Sequence, residues 1–339
     1  MDKYIVISPK SEGTFLERLN DLTGKVQTYL SEEEENNRKL QYCKAFFSDL
    51  QNQHQDFVDS HLYTDILGKS DITLVEQPPV NGSKISVLLK TSDTPSPYIF
   101  QSLRLKEEDA KGQSSYLQTM LLFSQYIKSI EQKGLSIKDN LVRTWIYVAD
   151  IDVNYEGVVR ARNDVFRRYG LTSETHYIAS TGIGGYSETR HATVAIDFLT
   201  APKAKPEDFY YLQALDHLNP THEYGVAFER GTRFTLPDKQ QYFISGTASI
   251  DRHGNVLYVG DVTHQTERLL ENIDALLKDG GAEMKDIQYF TIYLRDISDY
   301  PLIDAYMQQR FPNTPRIILS AKVCRPKWLI EMECVAEKA

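Results

Sequence analysis

An α+β fold made of three similar units is the architecture that the sequence predicts, and three repeated features support it. A strand phrase that alternates apolar and polar residues occurs three times and ends at Asp49, Asp150 and Asp296. An amphipathic helix precedes each phrase. A final apolar strand follows each phrase, near Ile85, Ile196 and Ile330. Recurrence of one supersecondary unit along a chain is the sequence signature of a repeat.

The helices are clearest in the third unit. Its segment "THQTERLLENIDALLKDGG" places five apolar residues on one broad face and ends at Gly280-Gly281, a stop signal for a helix. The second unit has "SSYLQTMLLFSQYIKSIEQKG", which ends at Gly134, and the first has the more polar "TFLERLNDLTGKVQTYLSEE". Each unit is therefore predicted to run strand or hairpin, helix, strand, second helix, strand.

Two linker-like stretches set the predicted boundaries of the units. Pro, Ser, Lys and Asp cluster in "KTSDTPSP" near residue 93 and in "LTAPKAKPED" near residue 203. We therefore expect a divergent first unit over residues 1–92, a second over 93–202, and a third over 203–339 that carries the catalytic strand.

Composition excludes several classes of function. The 339 residues are 41% hydrophobic, enough for a sizeable core, and the net charge of −9 argues against a nucleic-acid surface, which needs clustered Lys and Arg. No apolar run reaches membrane-spanning length and the first residues do not resemble a signal peptide, so we expect a cytoplasmic protein without a membrane partner. Three cysteines without a CxxC pair, and the absence of HExxH, GxSxG and Walker patterns, predict neither a metal nor a cofactor.

Two carboxylates on the last strand are the strongest functional signal. In "LIEMECV", Glu331 and Glu333 share one face of the strand, roughly 6.5–7 Å apart. Alignment of the three last strands puts Ser86 and Ala195 at the position of Glu331, so the fold does not require a carboxylate there. Partial burial would raise the pKa of Glu331 towards the range of a general acid that works near neutral pH.

The third unit resembles the RidA/YjgF superfamily from about Phe243 to Ala336. Its "YFISGTASIDRHGNVLYVGDVTHQTERLLENIDALLKDGG" has that family's strand, Ser-Gly turn, "GD…Q" and helix in order. Members form trimers with active sites between subunits. The resemblance implies tandem RidA/YjgF-like (chorismate mutase-like) units forming a single-chain pseudo-trimer, a monomer that imitates the trimer, with one working site where the third unit meets a neighbour.

Two branches of the family compete as models for the activity. The imine deaminases have a carboxylate-binding Arg and a Glu that correspond to Arg316 and Glu331, but this chain has Thr247 and Phe228 where those enzymes have Gln and Tyr. The segments "YGVAFERG", "GDVTHQT", "VCRPKWLIEME", "LVRTWIYVADID" and "STGIGG" resemble the chorismatases, which hydrolyse chorismate to pyruvate and a cyclohexadiene diol or hydroxybenzoate. This likeness covers roughly residues 95–339, although the loop at 251–254 departs from those enzymes.

The chorismatase resemblance implies a set of site residues. A substrate with two carboxylates and an enol ether needs fixed cations and one proton donor, and the planar guanidinium of Arg binds a carboxylate in a bidentate way. Glu331 would be the proton donor. The cation candidates are Arg143, Arg230, Arg316 and Arg325, of which Arg316 and Arg325 compete. Hydroxyl and backbone N–H contacts are expected from Ser245, Gly246 and Thr247, and further lining from Tyr224 and Cys324.

Three functional hypotheses follow from the sequence. The leading one is a cofactor-independent hydrolase of the chorismatase type that acts on a carboxylate-bearing small molecule. The second is an enamine or imine deaminase, and the third is a non-enzymatic protein that binds a small molecule. Replacement of Glu331 separates these classes, because an enzyme would lose rate while it still binds, whereas a binding protein would lose at most affinity.

Overall fold

The protein consists of three β-sheets with helices packed against them, in a computed structural model that describes residues 2–339. The sheets draw their strands from residues 3–92, 99–200 and 209–338. Each sheet therefore uses one continuous stretch of the chain. We refer to these stretches as the first, middle and third units.

The strands and helices follow one another in a similar order in each unit. The first unit contains β1 (Lys3–Ile7), α1 (Phe15–Glu35), β2 (Lys39–Phe47), α2 (Leu50–Val58), β3 (Asp71–Glu76) and β4 (Ile85–Ser92). The middle unit contains β5 (Ile99–Leu103), α3 (Glu107–Ala110), α4 (Ser115–Glu131), α5 (Ile137–Asn140), β6 (Leu141–Val148), α6 (Ile151–Arg168), β7 (Ala179–Gly184) and β8 (Val194–Thr200). The third unit contains β9 (Phe209–Tyr211), β10 (Gly231–Thr235), β11 (Gln240–Thr247), α7 (Val262–Asp279), β12 (Ile287–Leu294), α8 (Tyr300–Arg310), β13 (Arg316–Ser320) and β14 (Ile330–Lys338).

The strand order confirms the predicted repeat. The sheets read β1-β4-β2-β3 in the first unit, β5-β8-β6-β7 in the middle unit and β11-β14-β12-β13 in the third, where β10 and β9 extend the edge next to β11. The strands β3, β7 and β13 run parallel to β2, β6 and β12. These three edge strands are absent from the predicted order of elements, because short apolar runs between a helix and a strand carry little periodicity.

The long helices begin where the sequence supplies a cap. Thr14 forms a capping box with Glu17 at the start of α1, and the side chains of Ser114 and Asp261 accept hydrogen bonds from the first turns of α4 and α7. The apolar faces of these helices pack on their own sheets, and the leucines and isoleucine predicted for α7 are all buried. Each unit thus buries the apolar face of its own long helix.

The register of the last strands confirms the alignment of the three units. We count only the four strands common to every sheet, which in the third unit are β11, β12, β13 and β14. The last strand then lies between the first and second strands of every sheet. The residue pairs that face one another across the last and second strands are Ser86 with Phe46, Ala195 with Tyr147, and Glu331 with Tyr293. Glu331 therefore occupies the position that Ser86 and Ala195 occupy in the other two units.

The three sheets close into a ring. The first strand of each unit contacts the edge strand of another unit: β11 lies against β7, β5 against β3, and β1 against β13. Contacts of this head-to-tail kind are heterologous, and they close when three similar units complete the circle. Each seam therefore combines different parts of two neighbouring units.

The segment after β11 forms a single bridge, between Ile250 and Val256.

Within residues 2–339, no helix is both long enough and apolar enough to cross a membrane.

Candidate active site

A cleft at the seam between the middle and third units contains Glu331. It encloses about 540 Å³, including its open mouth. The lining from the middle unit includes Tyr155, Arg162, Ser180 and Gly182. The lining from the third unit includes Tyr224, Phe228, Arg230, Gly246, Cys324, Arg325, Trp328 and Glu331. We call this space the seam cavity.

Glu331 lies deep in the seam cavity. It is 4% exposed and sits near the start of β14, opposite Tyr293 on β12. Among residues 2–339, no group forms a hydrogen bond or ion pair with its carboxyl group at ordinary distances. A buried carboxyl group without a protein partner is available to a ligand in the cavity.

A bulge in β11 makes room for this carboxyl group. The register between β11 and β14 shifts between Ile244 and Thr247, so β11 carries one extra residue next to β14. Gly246 lies in this bulge, and a Cβ atom there would collide with the Oε1 atom of Glu331. Glycine at this position therefore permits the close approach of the Glu331 side chain to the backbone.

The environment favours the protonated form of Glu331. Burial, and to a lesser extent the negative charge of Glu333, raise the pKa of Glu331 from 4.5 to about 8, against the opposing effect of Arg230. A carboxyl group with this pKa keeps its proton at neutral pH. Glu331 therefore has the protonation state of a general acid.

Glu333, two residues along the same face, has the opposite character. Its carboxylate accepts hydrogen bonds from Arg143 at 2.7 Å and from the Trp145 indole at 3.1 Å, as well as from the Thr181 hydroxyl. Burial alone would raise the pKa of Glu333, but Arg143 and Lys44 hold it below the ordinary value. Two neighbouring carboxyl groups with divergent pKa values are typical of a site that uses one as an acid.

Three arginines from different elements line the seam cavity. Arg162, on α6 of the middle unit, is 1% exposed, and its Nε and Nη2 atoms have no hydrogen-bond partner in the described part of the chain. Arg230 donates to the backbone oxygen of Asn219, at 2.9 Å from Nη2. The Arg325 guanidinium lies between the rings of Tyr224 and Trp328, at 5.1 and 5.3 Å from their centroids. The cavity is therefore rich in positive charge.

Arg162 is the strongest indication of an anion-binding site in the seam cavity. A buried guanidinium with unsatisfied N–H groups costs free energy unless an anion or another acceptor completes its hydrogen bonds. Phe228 supplies a ring face 5.7 Å from the centre of the guanidinium, which does not satisfy the N–H groups. The arrangement suits a carboxylate bound in the seam cavity.

Cys324 and Tyr155 form part of the wall of the seam cavity. Burial is the main reason why the pKa of Cys324 is raised to about 12, and the charge of Glu331 raises it too. The Tyr155 side chain forms a hydrogen bond with the Cys324 side chain. The cysteine is therefore a neutral thiol at physiological pH, which makes it a wall group rather than a nucleophile.

The structure brings together six of the predicted site residues and leaves four outside. Glu331, Tyr224, Arg230, Gly246, Cys324 and Arg325 line the seam cavity. Arg143 is buried behind it and binds Glu333. The hydroxyl of Ser245 donates to the backbone oxygen of Glu229, and that of Thr247 to the backbone oxygen of Ser245, so neither is directed at the cavity. The fourth, Arg316, lies at another seam.

Arg316 lies in a cleft between the third and first units, together with Ser8 and Asn81. Its guanidinium donates to Gln308 at 2.6 Å and to Asp304 at 3.4 Å. The prediction that Arg316 and Glu331 share one site is therefore wrong, because the two residues line different clefts.

The ring arrangement gives the physical reason. Arg316 lies on the edge strand β13, where it pairs with Phe290 of β12. The strand β13 contacts the first unit rather than the middle unit. The corresponding position on β7 is Ser180, which pairs with Thr144, and Ser180 does line the seam cavity. In a heterologous ring, an edge strand and the last strand of the same unit serve different seams.

Sequence reasoning missed Arg162 and Tyr155. Arg162 follows Val158 and precedes Val165 at helical spacing, so it lies on the buried face of α6. A charged residue on the apolar face of an amphipathic helix is the signal that could have identified it.

Among residues 2–339, no group of three or more potential metal ligands is found.

Comparison with known proteins adds a family and a fold. The family model described as Endoribonuclease L-PSP matches residues 234–338. The 3-aminoacrylate deaminase RutC of Acinetobacter baylyi is 34% identical over 96 residues, which span 28% of this chain and 76% of that protein. A RutC family protein of Pyrococcus abyssi is 35% identical over 98 residues, spanning 28% of this chain and 77% of that protein.

One solved structure resembles the whole chain. A chorismatase superposes with a TM-score of 0.69 at 18% identity, covering 99% of this chain and 98% of that chain. At this identity the likeness establishes the fold. The three-unit architecture thus has a precedent along its full length.

Proposed function

The chain belongs to the RidA/YjgF superfamily, and from this premise we propose that it is a cofactor-independent hydrolase of a carboxylate-bearing small molecule, with chorismatase-type chemistry. The observation that carries the proposal is a carboxyl group with a pKa of about 8 in a cavity lined by three arginines. In this interpretation the ring of three units imitates a trimer and keeps a single working seam. The protein would act as a monomer in the cytoplasm.

The arginines would bind the carboxylates of the substrate. A chorismate-like molecule carries two carboxylates, and a guanidinium binds each in a bidentate manner. Arg162 offers the unsatisfied N–H groups, and the Arg325 guanidinium lies over the rings of Tyr224 and Trp328. Neutralisation of the substrate's charges in a partly desolvated cavity would orient the enol ether towards Glu331.

Glu331 would act first as an acid and then as a base. Its proton would add to the methylene carbon of the enol ether, which leaves positive charge on the ether-bearing carbon. Water would attack that carbon and return a proton to the Glu331 carboxylate. In the resulting hemiketal the bond to the ring oxygen would break while the proton of the new hydroxyl group passes to that oxygen, which releases pyruvate and the ring alcohol. A positioned acid of this kind contributes about 10²–10⁴ in rate.

The remaining lining residues would shape the pocket. Tyr155, Tyr224, Phe228 and Trp328 give an apolar wall against which a six-membered ring can pack. Cys324 would lie in this wall as a neutral thiol. Gly246 would allow substrate and Glu331 to approach the backbone of the bulge.

The test is pyruvate release from chorismate by the purified protein, read through coupled NADH oxidation. We expect release well above the uncatalysed rate, with no added metal or cofactor. Release at only the uncatalysed rate would remove chorismate as the substrate. Ammonia release from an enamine or imine substrate would then be the next assay, because the 34% identity to a 3-aminoacrylate deaminase supports that chemistry as the second candidate. Binding without turnover in either assay would support the third hypothesis.

A matched pair of arginine variants tests the assignment of the anion site. We expect Arg162→Met to raise KM for chorismate by about 10- to 100-fold, because hydrogen bonds to charged groups contribute roughly 1.5–3 kcal/mol. Arg316→Met should leave KM within about twofold, since Arg316 faces the other seam. Steady-state kinetics of both variants would decide, and equal effects, or a larger effect at Arg316, would contradict the proposed anion site.

A further inference from the structure

A second cavity, open to solvent, lies where the three sheets meet. Tyr4, Phe100 and Phe243 line it from the first strands of the three sheets. They occupy equivalent positions, since they pair with Lys90, Leu199 and Val335 on the three last strands. All three units therefore contribute equally placed rings to this space, which we call the axial cavity.

Further aromatic rings complete the wall of the axial cavity. Tyr42 and Tyr289 contribute rings from the second strands of the first and third units, and Trp145 and Tyr98 contribute rings from the middle unit. The axial cavity comprises about 550 Å³, a figure that includes the solvent at its open mouth. Among the described residues, it shares no lining residue with the seam cavity.

Three of the four tyrosine hydroxyl groups in the wall form hydrogen bonds within the protein. Tyr4 donates to Glu337 at 3.1 Å, the Tyr42 hydroxyl lies 3.2 Å from that of Thr73, and Tyr98 donates to Gln241. A ligand in the axial cavity therefore meets mainly the rings themselves. The faces of aromatic rings carry negative electrostatic potential, which attracts cations.

One carboxylate in the wall has no counter-ion. Asp71 lies beside Tyr42 in the register of β2 and β3, and it is partly buried. Its carboxylate has no hydrogen bond or ion pair with any group in the part of the chain from residue 2 to 339. Lys90, the cation in the wall, is paired with Asp2 at 2.8 Å. The lining therefore carries one uncompensated negative charge.

We propose that the axial cavity binds a small organic ammonium ion with an aromatic or branched apolar body. Lys90 lies over the Tyr4 ring at 5.9 Å, and Arg143 and Lys44 lie over the Trp145 ring at 4.7 and 5.7 Å. The remaining rings would therefore contact the apolar body and the cation, and Asp71 would supply the opposite charge. Cation–π contacts contribute from about 0.5 kcal/mol at exposed sites to about 2 kcal/mol or more when the ion is desolvated. A carboxylate ligand would be repelled by Asp71, and a neutral ring would gain nothing from it.

The two tryptophans of the chain allow the two cavities to be observed separately. Trp145 lines the axial cavity and Trp328 lines the seam cavity. In a Trp328→Phe variant, the indole fluorescence therefore reports on the axial cavity alone. We would titrate this variant with benzyltrimethylammonium, and in parallel with benzyl alcohol and benzoate as neutral and anionic probes of similar size.

We expect saturable quenching of Trp145 by benzyltrimethylammonium and at least tenfold weaker responses to the other two probes. Adding Asp71→Asn should weaken binding of the cation at least tenfold, whereas the matched control Asp56→Asn, on the exposed face of α2, should leave it unchanged. Equal binding of the three probes, no saturable binding, or equal effects of the two Asn variants in proteins of unchanged thermal stability would overturn the proposal. These outcomes do not depend on chorismate turnover, so they leave the proposed reaction untouched.

Discussion

Replacement of Glu331 by glutamine is expected to lower the rate of pyruvate release from chorismate by about 10²–10⁴, with little change in substrate affinity. Glutamine keeps the size and hydrogen-bonding shape of the protonated carboxyl group but cannot transfer a proton. The three arginines that would bind the substrate remain in place. The loss should therefore appear in kcat, and binding should persist when measured directly by calorimetry.

The dependence of kcat/KM on pH in the native protein tests the protonation state of Glu331 independently of any substitution. Because burial raises the pKa of Glu331 to about 8, the acid form dominates below that pH and is lost above it. We expect kcat/KM to be highest below pH 8 and to fall about tenfold per pH unit at higher pH. An inflection near the ordinary value of a glutamate, with activity rising above it, would mean that the carboxylate is needed in its charged form.

A matched carboxylate variant controls for general effects of charge removal. Glu267, on α7, is exposed and does not line the seam cavity. Glu267→Gln should retain full activity. Comparable losses in the Glu267 and Glu331 variants, or full activity of Glu331→Gln, would contradict the role of Glu331 as the acid.

Glu333→Gln is expected to lower the free energy of unfolding by about 3–5 kcal/mol. Glu333 is the carboxylate that pairs with buried Arg143 and lies 3.8 Å from buried Lys44. Its neutralisation leaves two buried cations without their anion, and breaking a buried pair in this way costs about that amount. Urea unfolding of the variant and the native protein would measure the difference.

The variant Lys44→Met tests whether the loss of stability in Glu333→Gln comes from unpaired buried charge. Burial lowers the pKa of Lys44, and its ammonium lies over the rings of Phe46, Trp145 and Tyr147 at 5.1–5.7 Å. Lys44→Met fills similar space without a charge, so we expect a change of less than about 1 kcal/mol.

The double variant should be less destabilised than the sum of the two single variants, because it retains only one unpaired cation. Additive effects in the double variant would indicate that Glu333 stabilises the protein through packing rather than through charge.

The ring of three units explains why one seam carries the candidate chemistry. The positions of Ser86 and Ala195 match that of Glu331, and neither side chain can serve as an acid near neutral pH. In the first unit, Ser86 is 2.7 Å from the Ser8 hydroxyl, next to the cleft of Arg316. The seam between the third and first units thus has an arginine, Arg316, on its edge strand but has Ser86 instead of a carboxyl group on its last strand.

The sequence by itself predicted the repeated units, their alignment and Glu331 as the candidate acid. These features depend on local periodicity, capping residues and comparison of equivalent strands, all of which are encoded within short stretches of the chain. Comparison of the three last strands indicated that the fold does not require a carboxylate at the position of Glu331. The register of the last and second strands confirms that Ser86, Ala195 and Glu331 occupy equivalent positions.

Only the tertiary structure decided which residues face Glu331. Arg316 and Glu331 are fifteen positions apart in one unit, yet they serve different seams because each seam combines an edge strand of one unit with the first strand of another. Arg162 reaches the cavity from the neighbouring unit, at the far side of that seam. Local sequence patterns carry no information on the partner across a heterologous contact, so Arg162 could be identified only from the tertiary structure, whereas Arg230 and Arg325 were among the predicted residues.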